Sequence, residues 1–94
     1  MLEFYVYMLQ CADYSYYVGQ TSNLGARIDE HVYGRIPGYT HDKRPVKLVW
    51  HNKFQSRDDA FRIEHRLKGW SRAKKNALIN GDWALIQALA AGNK

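Results

Sequence analysis

The chain holds 94 residues, 46% of them hydrophobic, with 14 Lys and Arg against 9 Asp and Glu. That length fits one domain, residues 1–94, with a modest core, and the formal charge of +5 suits a polyanion partner. A single cysteine, Cys11, excludes an intramolecular disulfide and a cysteine zinc cluster; no apolar run approaches the roughly 20 residues of a membrane span; and the run from Phe4 to Leu9 is too short for a signal peptide, so a soluble cytoplasmic protein is expected.

Residues 4–11, "FYVYMLQC", are rich in aromatic and β-branched types and predict a strand. "ADYS" supplies turn formers, and residues 16–20, "YYVGQ", predict a second strand in a hairpin whose turn centres near Ala12. Thr21, Ser22 and Asn23 are all good N-caps for a helix whose apolar stripe is Leu24, Ile28 and Val32, stopped by Gly34. Residues 34–45, "GRIPGYTHDKRP", read as a long loop carrying Arg35, Tyr39, His41, Lys43 and Arg44; an unstructured connection of about 12 residues is often functional. "VKLVWHNKF" predicts a third strand. Ser56 then caps a helix with Asp58 and Asp59 in its first turn, a buried stripe of Ala60, Ile63, Leu67 and Trp70, and an end at Gly69. Ser71 opens the next helix, which runs through Ile79; "NGD" breaks it, and Asp82 caps a final helix with Trp83, Ile86 and Leu89 inward. The order is β-β-α-β-α-α-α: an α+β fold with a three-stranded, antiparallel-type sheet flanked by helices.

Some residues stand out from this frame. Tyr7 and Tyr17 approach one another across the hairpin, although strand tyrosines commonly only pack. Gly19 weakens its strand, which marks either a bulge or a close approach. Arg27 and His31, at i and i+4, share a helix face beside the apolar stripe; a cleft-facing pair and an arginine stem laid over apolar surface both fit. Glu64 falls about 40° from Ala60 around its helix, at the core margin. A carboxylate there must be paired, protonated or bound to a cation, and a salt bridge to Arg27 or a lysine satisfies it equally. Asn76 by itself reads as a surface or capping residue. Arg62, Arg66, Lys68, Arg72, Lys74 and Lys75, interleaved with Trp70, form either a solvated face or a phosphate track. There is no Walker loop or GxGxxG, and His31, His41, His51 and His65 lack zinc-ligand spacing.

Taken in order, these residues resemble the GIY-YIG nuclease superfamily, in particular its small standalone bacterial members related to the catalytic module of the excision-repair incision subunit. The first motif reads Tyr5-Val6-Tyr7 and the second Tyr17-Val18-Gly19. "NLGARIDEH" carries the family arginine at Arg27 and its following His or Tyr at His31; "AFRIEHRLKGW" carries the metal-binding glutamate at Glu64; "KKNALI" carries Asn76. The resemblance covers roughly residues 4–80. Two departures matter. Tyr5 replaces the first glycine, and Gln20 stands where some relatives have lysine, which removes a positive charge beside the site.

The resemblance implies a phosphodiester hydrolase acting on nucleic acid, most simply DNA, with single strands and branched forms among the candidate substrates and DNA repair among the settings. It implies one Mg²⁺ or Mn²⁺ held by Glu64; such an ion keeps most of its waters and needs only one or two carboxylates. It makes Tyr17 the general base, and a phenol, with pKa about 10, needs nearby cations for that work. Arg27 stabilises charge on the phosphate, Tyr7 and His31 orient water or phosphate, and Asn76 supports the backbone or phosphate. Gly19, Gln20, Arg35, Lys43, Arg44, Lys68, Lys74 and Lys75 are the remaining candidates for substrate contact. No obligatory protein partner and no membrane association are expected. The alternatives are a nucleic-acid-binding module without catalysis and, using only the net charge, a docking domain for an acidic protein.

Overall fold

The structure, a computed structural model, describes residues 3–92, with side chains through Leu89. Strand β1 (Phe4–Gln10) pairs antiparallel with β2 (Tyr16–Thr21) on one side and with β3 (Lys47–Phe54) on the other, giving the order β2-β1-β3. Gln10 lies opposite Tyr16, so the hairpin turns around Asp13, one residue later than expected. Asp13 holds that turn by accepting from the Ser15 backbone N–H and hydroxyl. It also pairs with Lys43 at 2.6 Å, fastening the hairpin to the 34–45 loop.

The sheet has helices on both faces because β1 is apolar on both. Val6 and Met8 turn to one side with Val18, Ala60, Leu67, Ala77, Leu78 and Ile86; Tyr7 and Leu9 turn to the other with Cys11, Val46, Tyr17, Leu24 and Ile28. This is the two-residue alternation of a central strand buried on both faces. Val6, Met8 and Leu9 are fully buried, each worth about 1.5–3 kcal/mol of transfer free energy. The first face is covered by α2 (Arg57–Lys68), α3 (Arg72–Ile79) and α4 (Trp83–Gly92), the second by α1 (Leu24–Val32) and the loop that follows it.

Asn23, Ser56 and Ser71 cap α1, α2 and α3 by accepting from Ala26, Asp59 and Lys74 backbone N–H groups, and the Asp82 carboxylate accepts from Leu85 at the start of α4. Three expectations are corrected. The 34–45 loop is not wholly irregular: His41–Lys43 form a 3₁₀ turn. In α1 the buried residue is His31, whereas Val32 is 39% exposed, since the helix rolls its His31 edge onto Tyr7. Trp83 is 62% exposed and rims an apolar groove with Trp50 and Trp70 rather than filling the core, where Ile86 sits.

Candidate active site

The edge strand β2 organises the site, because its alternating side chains reach both faces. Tyr17 and Gly19 face α1, and Gln20 faces α2. Gly19 lies directly opposite Tyr7. A Cβ at Gly19 would come within 2.5 Å of the Tyr7 hydroxyl, so the glycine makes room for that phenol rather than forming a bulge.

Tyr7 is 1% exposed, and its hydroxyl hydrogen-bonds His31 Nε2 at 2.8 Å. His31, 3% exposed, uses Nδ1 on Thr40 Oγ1 at 2.7 Å, and Thr40 is itself 2% exposed. The chain Tyr7–His31–Thr40 thus ties the sheet, α1 and the loop together with every polar atom partnered. Burial pushes the Tyr7 phenol well above its ordinary range; the nearby Tyr17 and Glu64 add to that, and Arg27 pulls against it. Burial, helped by the Arg27 charge, pushes His31 below its ordinary value, so the imidazole is neutral at neutral pH.

Tyr17 completes the aromatic cluster, with ring centroids 5.2 Å from His31 and 6.4 Å from Tyr7. On its outer side Tyr39 stacks at 6.0 Å and carries Lys43 over its ring. Tyr17, Tyr39, Lys68 and Lys75 line a cleft of about 220 Å³ along β2. Burial lowers the Lys75 amine from its ordinary value. Tyr17 therefore opens to a cationic cleft, whereas Tyr7 is sealed beneath it.

Glu64 projects from α2 toward the same strand with its side chain 13% exposed. Gln20 Nε2 donates to its Oε1 at 3.0 Å, and the Lys68 ammonium, one turn on, forms an ion pair with Oε2 at 3.2 Å. The lysine alternative for Glu64 is thereby realised, while Arg27 pairs instead with Glu30 at 3.1 Å. Among the described residues there is no cluster of three or more metal-ligating side chains. A single half-sunken carboxylate does fit Mg²⁺ or Mn²⁺: it is a hard oxygen donor, Oε1 has a second lone pair beyond the Gln20 bond, and waters fill the remaining positions of such an ion.

Other candidates lie elsewhere. Asn76 accepts from the Tyr16 hydroxyl at 2.5 Å and so anchors the start of β2 to α3. Arg72 assists it, donating to the Tyr14 carbonyl and lying over the Tyr16 ring. Lys74 covers Trp70. Arg35 lies over Tyr33, and Arg44 donates to the His41 carbonyl and presses on Gly34, so both serve their own loop. Thr40 and Tyr39, not among the candidates, contact the cluster directly. No periodicity marks either one, since a loop residue declares its partners only in three dimensions.

A hairpin, a helix carrying Arg27 and His31, and a following helix carrying Glu64, all meeting along an edge strand, define a nuclease-type domain. The chain matches the GIY-YIG catalytic domain over residues 3–77 and belongs to that family. Its relatives are small bacterial and archaeal proteins. A UPF0213 protein of Natronomonas pharaonis is 44% identical over 75 residues, covering 80% of this chain and 88% of the relative. One of Staphylococcus haemolyticus is 42% identical over 79 residues, covering 84% and 96%. The solution structures of a UPF0213 protein from Bacillus halodurans (38% identity, 84% of each chain, TM-score 0.56) and of a protein from E. faecalis (31%, 86% of each chain, TM-score 0.61) share the fold. Among the described residues no helix is long and apolar enough to cross a membrane.

Proposed function

We propose that the protein is a divalent-metal-dependent endonuclease that hydrolyses phosphodiester bonds in DNA, with single strands and branched forms among its candidate substrates. The observation that carries this reading is the position of Glu64. The carboxylate, 13% exposed, is hydrogen-bonded to the edge strand through Gln20 and paired with Lys68, a residue that lines the Tyr17 cleft.

Glu64 would hold Mg²⁺ or Mn²⁺, which when bound supplies charge neutralisation at the phosphate and a more acidic water. Of the two tyrosines, Tyr17 is suited to take the proton of the attacking water, because it faces the cleft and has cationic neighbours in Lys68 and Lys75. Tyr7 is suited to hold its proton, because burial disfavours its phenolate. Its place is beneath Tyr17, fixing the cluster with His31 and Thr40. Arg27, which lines the cleft at the Gln20 end of β2, would stabilise the developing charge on the phosphoryl oxygens. Lys68 and Lys75, which line the Tyr17 cleft, would take flanking phosphates.

A second reading, binding without cleavage, draws on one contact: Lys68 already occupies Glu64 Oε2. Labelled single-stranded, duplex and branched DNA, incubated with Mg²⁺ or Mn²⁺ and with excess chelator, separates the two. Cleavage that the chelator stops supports the nuclease. Salt-sensitive binding without cuts under every metal condition selects the binding module.

A further inference from the structure

Beyond Tyr17 and Lys68, at the far end of β2, lies a second cleft of about 230 Å³ lined by Phe4, Gln20, Thr21, Ser22, Arg27 and Arg57. Its lining offers two guanidinia, the Ser22 hydroxyl and the Gln20 carboxamide as donors, with no carboxylate on its wall; the Thr21 hydroxyl is turned to Asn23 and donates to its carbonyl at 3.3 Å. Glu30 takes Arg27 at Nε. Arg57 has no ion pair among the described residues; its guanidinium lies over the Phe4 ring, 5.2 Å from the centroid. Stacking on an aromatic face holds a guanidinium in place while leaving its N–H edge free to donate. A pre-positioned, unpaired arginine facing a second arginine across a polar cleft stabilises an anion there, and without one the two charges repel.

The two clefts flank Glu64. One takes Tyr16, Tyr17 and Val18 from β2, the other Gln20 and Thr21 with the following Ser22, and Gln20 itself holds Glu64. The stretch from Tyr16 to Ser22 spans roughly 20 Å if extended, which accommodates more than one phosphate of a strand laid along it. Gln20 leaves this end of the strand without the positive charge that a lysine would bring. Arg57, in the first turn of α2, faces the same cleft.

We propose that Arg57, with Ser22, forms a second phosphate site beside Arg27 that grips the nucleotide flanking the scissile bond and supplies the charge Gln20 lacks. This rests on the nuclease reading above. The ligand is a phosphodiester of the same strand, recognised by charge and geometry rather than by base sequence.

The test is oligonucleotide binding by the full chain in excess chelator, followed by fluorescence anisotropy across a salt series. Arg57→Gln should weaken binding about tenfold and reduce the slope of log K against log salt by about 0.7–1. Arg57→Lys should restore most of both. Arg62→Gln, which removes an exposed arginine of the same helix already paired with Asp59, should change neither by much. Oligonucleotides carrying one neutral methylphosphonate at a time locate the contact: wild type should lose affinity at a flanking position where Arg57→Gln loses nothing further. If Arg57→Gln binds within twofold of wild type, or Arg62→Gln matches its loss, the site is overturned and the nuclease reading stands. If wild type binds no oligonucleotide at any salt concentration, both fall.

Discussion

Replacing Gly19 with alanine tests the packing beneath the site. The added methyl would stand 2.5 Å from the Tyr7 hydroxyl oxygen and 2.6 Å from Cζ, where carbon contacts normally begin near 3.5 Å. Tyr7 has nowhere to retreat: it is buried, with its hydroxyl fixed 2.8 Å from His31. The ring must therefore shift by roughly 1 Å, which costs about 1–3 kcal/mol of overpacking. That shift also strips the Tyr7–His31 hydrogen bond, leaving buried polar atoms unpaired at about 1–3 kcal/mol more. The gain from stiffening the unfolded chain, about 0.4–1 kcal/mol, offsets part of this. A net loss of about 1–5 kcal/mol results, which lowers the midpoint of a domain this size by roughly 5–40 °C. Urea and thermal unfolding measure it. Gly25→Ala is the control: nothing lies within 4 Å of its Cβ position in α1, so it should stabilise by about 0.5–1 kcal/mol. In a Tyr7→Leu background the Gly19→Ala cost should shrink, since the pair is coupled. A Gly19→Ala protein as stable as wild type, within about 0.5 kcal/mol, would refute the steric argument.

His31 gives stability an acid limb. Its folded pKa lies below the unfolded value of about 6.5, so between the two the unfolded chain binds the extra proton. The contribution of its neutral form is thus present above about pH 6.5 and is lost as pH falls toward the folded value. Urea denaturation from pH 7.5 to 5 should show the advantage of wild type over His31→Asn shrinking with acidification. Lys68→Met frees Glu64 Oε2 from its ion pair with a half-exposed lysine. Mn²⁺ affinity measured by calorimetry without nucleic acid should rise about two- to fivefold, matching the roughly 0.4–1 kcal/mol such pairs carry; unchanged affinity would mean that the lysine does not compete at that carboxylate.

Local signals account for most of the fold that could be read from the chain. The four caps work as expected because a side-chain acceptor at a helix start acts within three residues. The strands follow from aromatic and β-branched runs. Burial of β1 on both faces explains why "FYVYMLQ" shows no polar alternation. What remained hidden depends on long-range partners. His31 is buried in place of Val32 because Tyr7 and Thr40, 24 and 9 residues away, satisfy both ring nitrogens. Trp83 lies in a helix that is apolar nearly all round, so residue type could not say which face turns inward. Charge counting found the basic character but not its direction. Lys68 and Lys75 line the Tyr17 cleft, Arg35 and Arg44 turn into their own loop, and Arg57, which faces a cleft, carries no motif.

Cleavage of a labelled single-stranded oligonucleotide in Mg²⁺ or Mn²⁺ by wild type, Glu64→Ala and Tyr17→Phe tests the central claim most directly. Each variant should fold with the wild-type circular dichroism spectrum and cut about a thousandfold more slowly or worse, the loss of roughly 4 kcal/mol of transition-state stabilisation. Wild-type rates in both folded variants would contradict a site built from that carboxylate and that phenol.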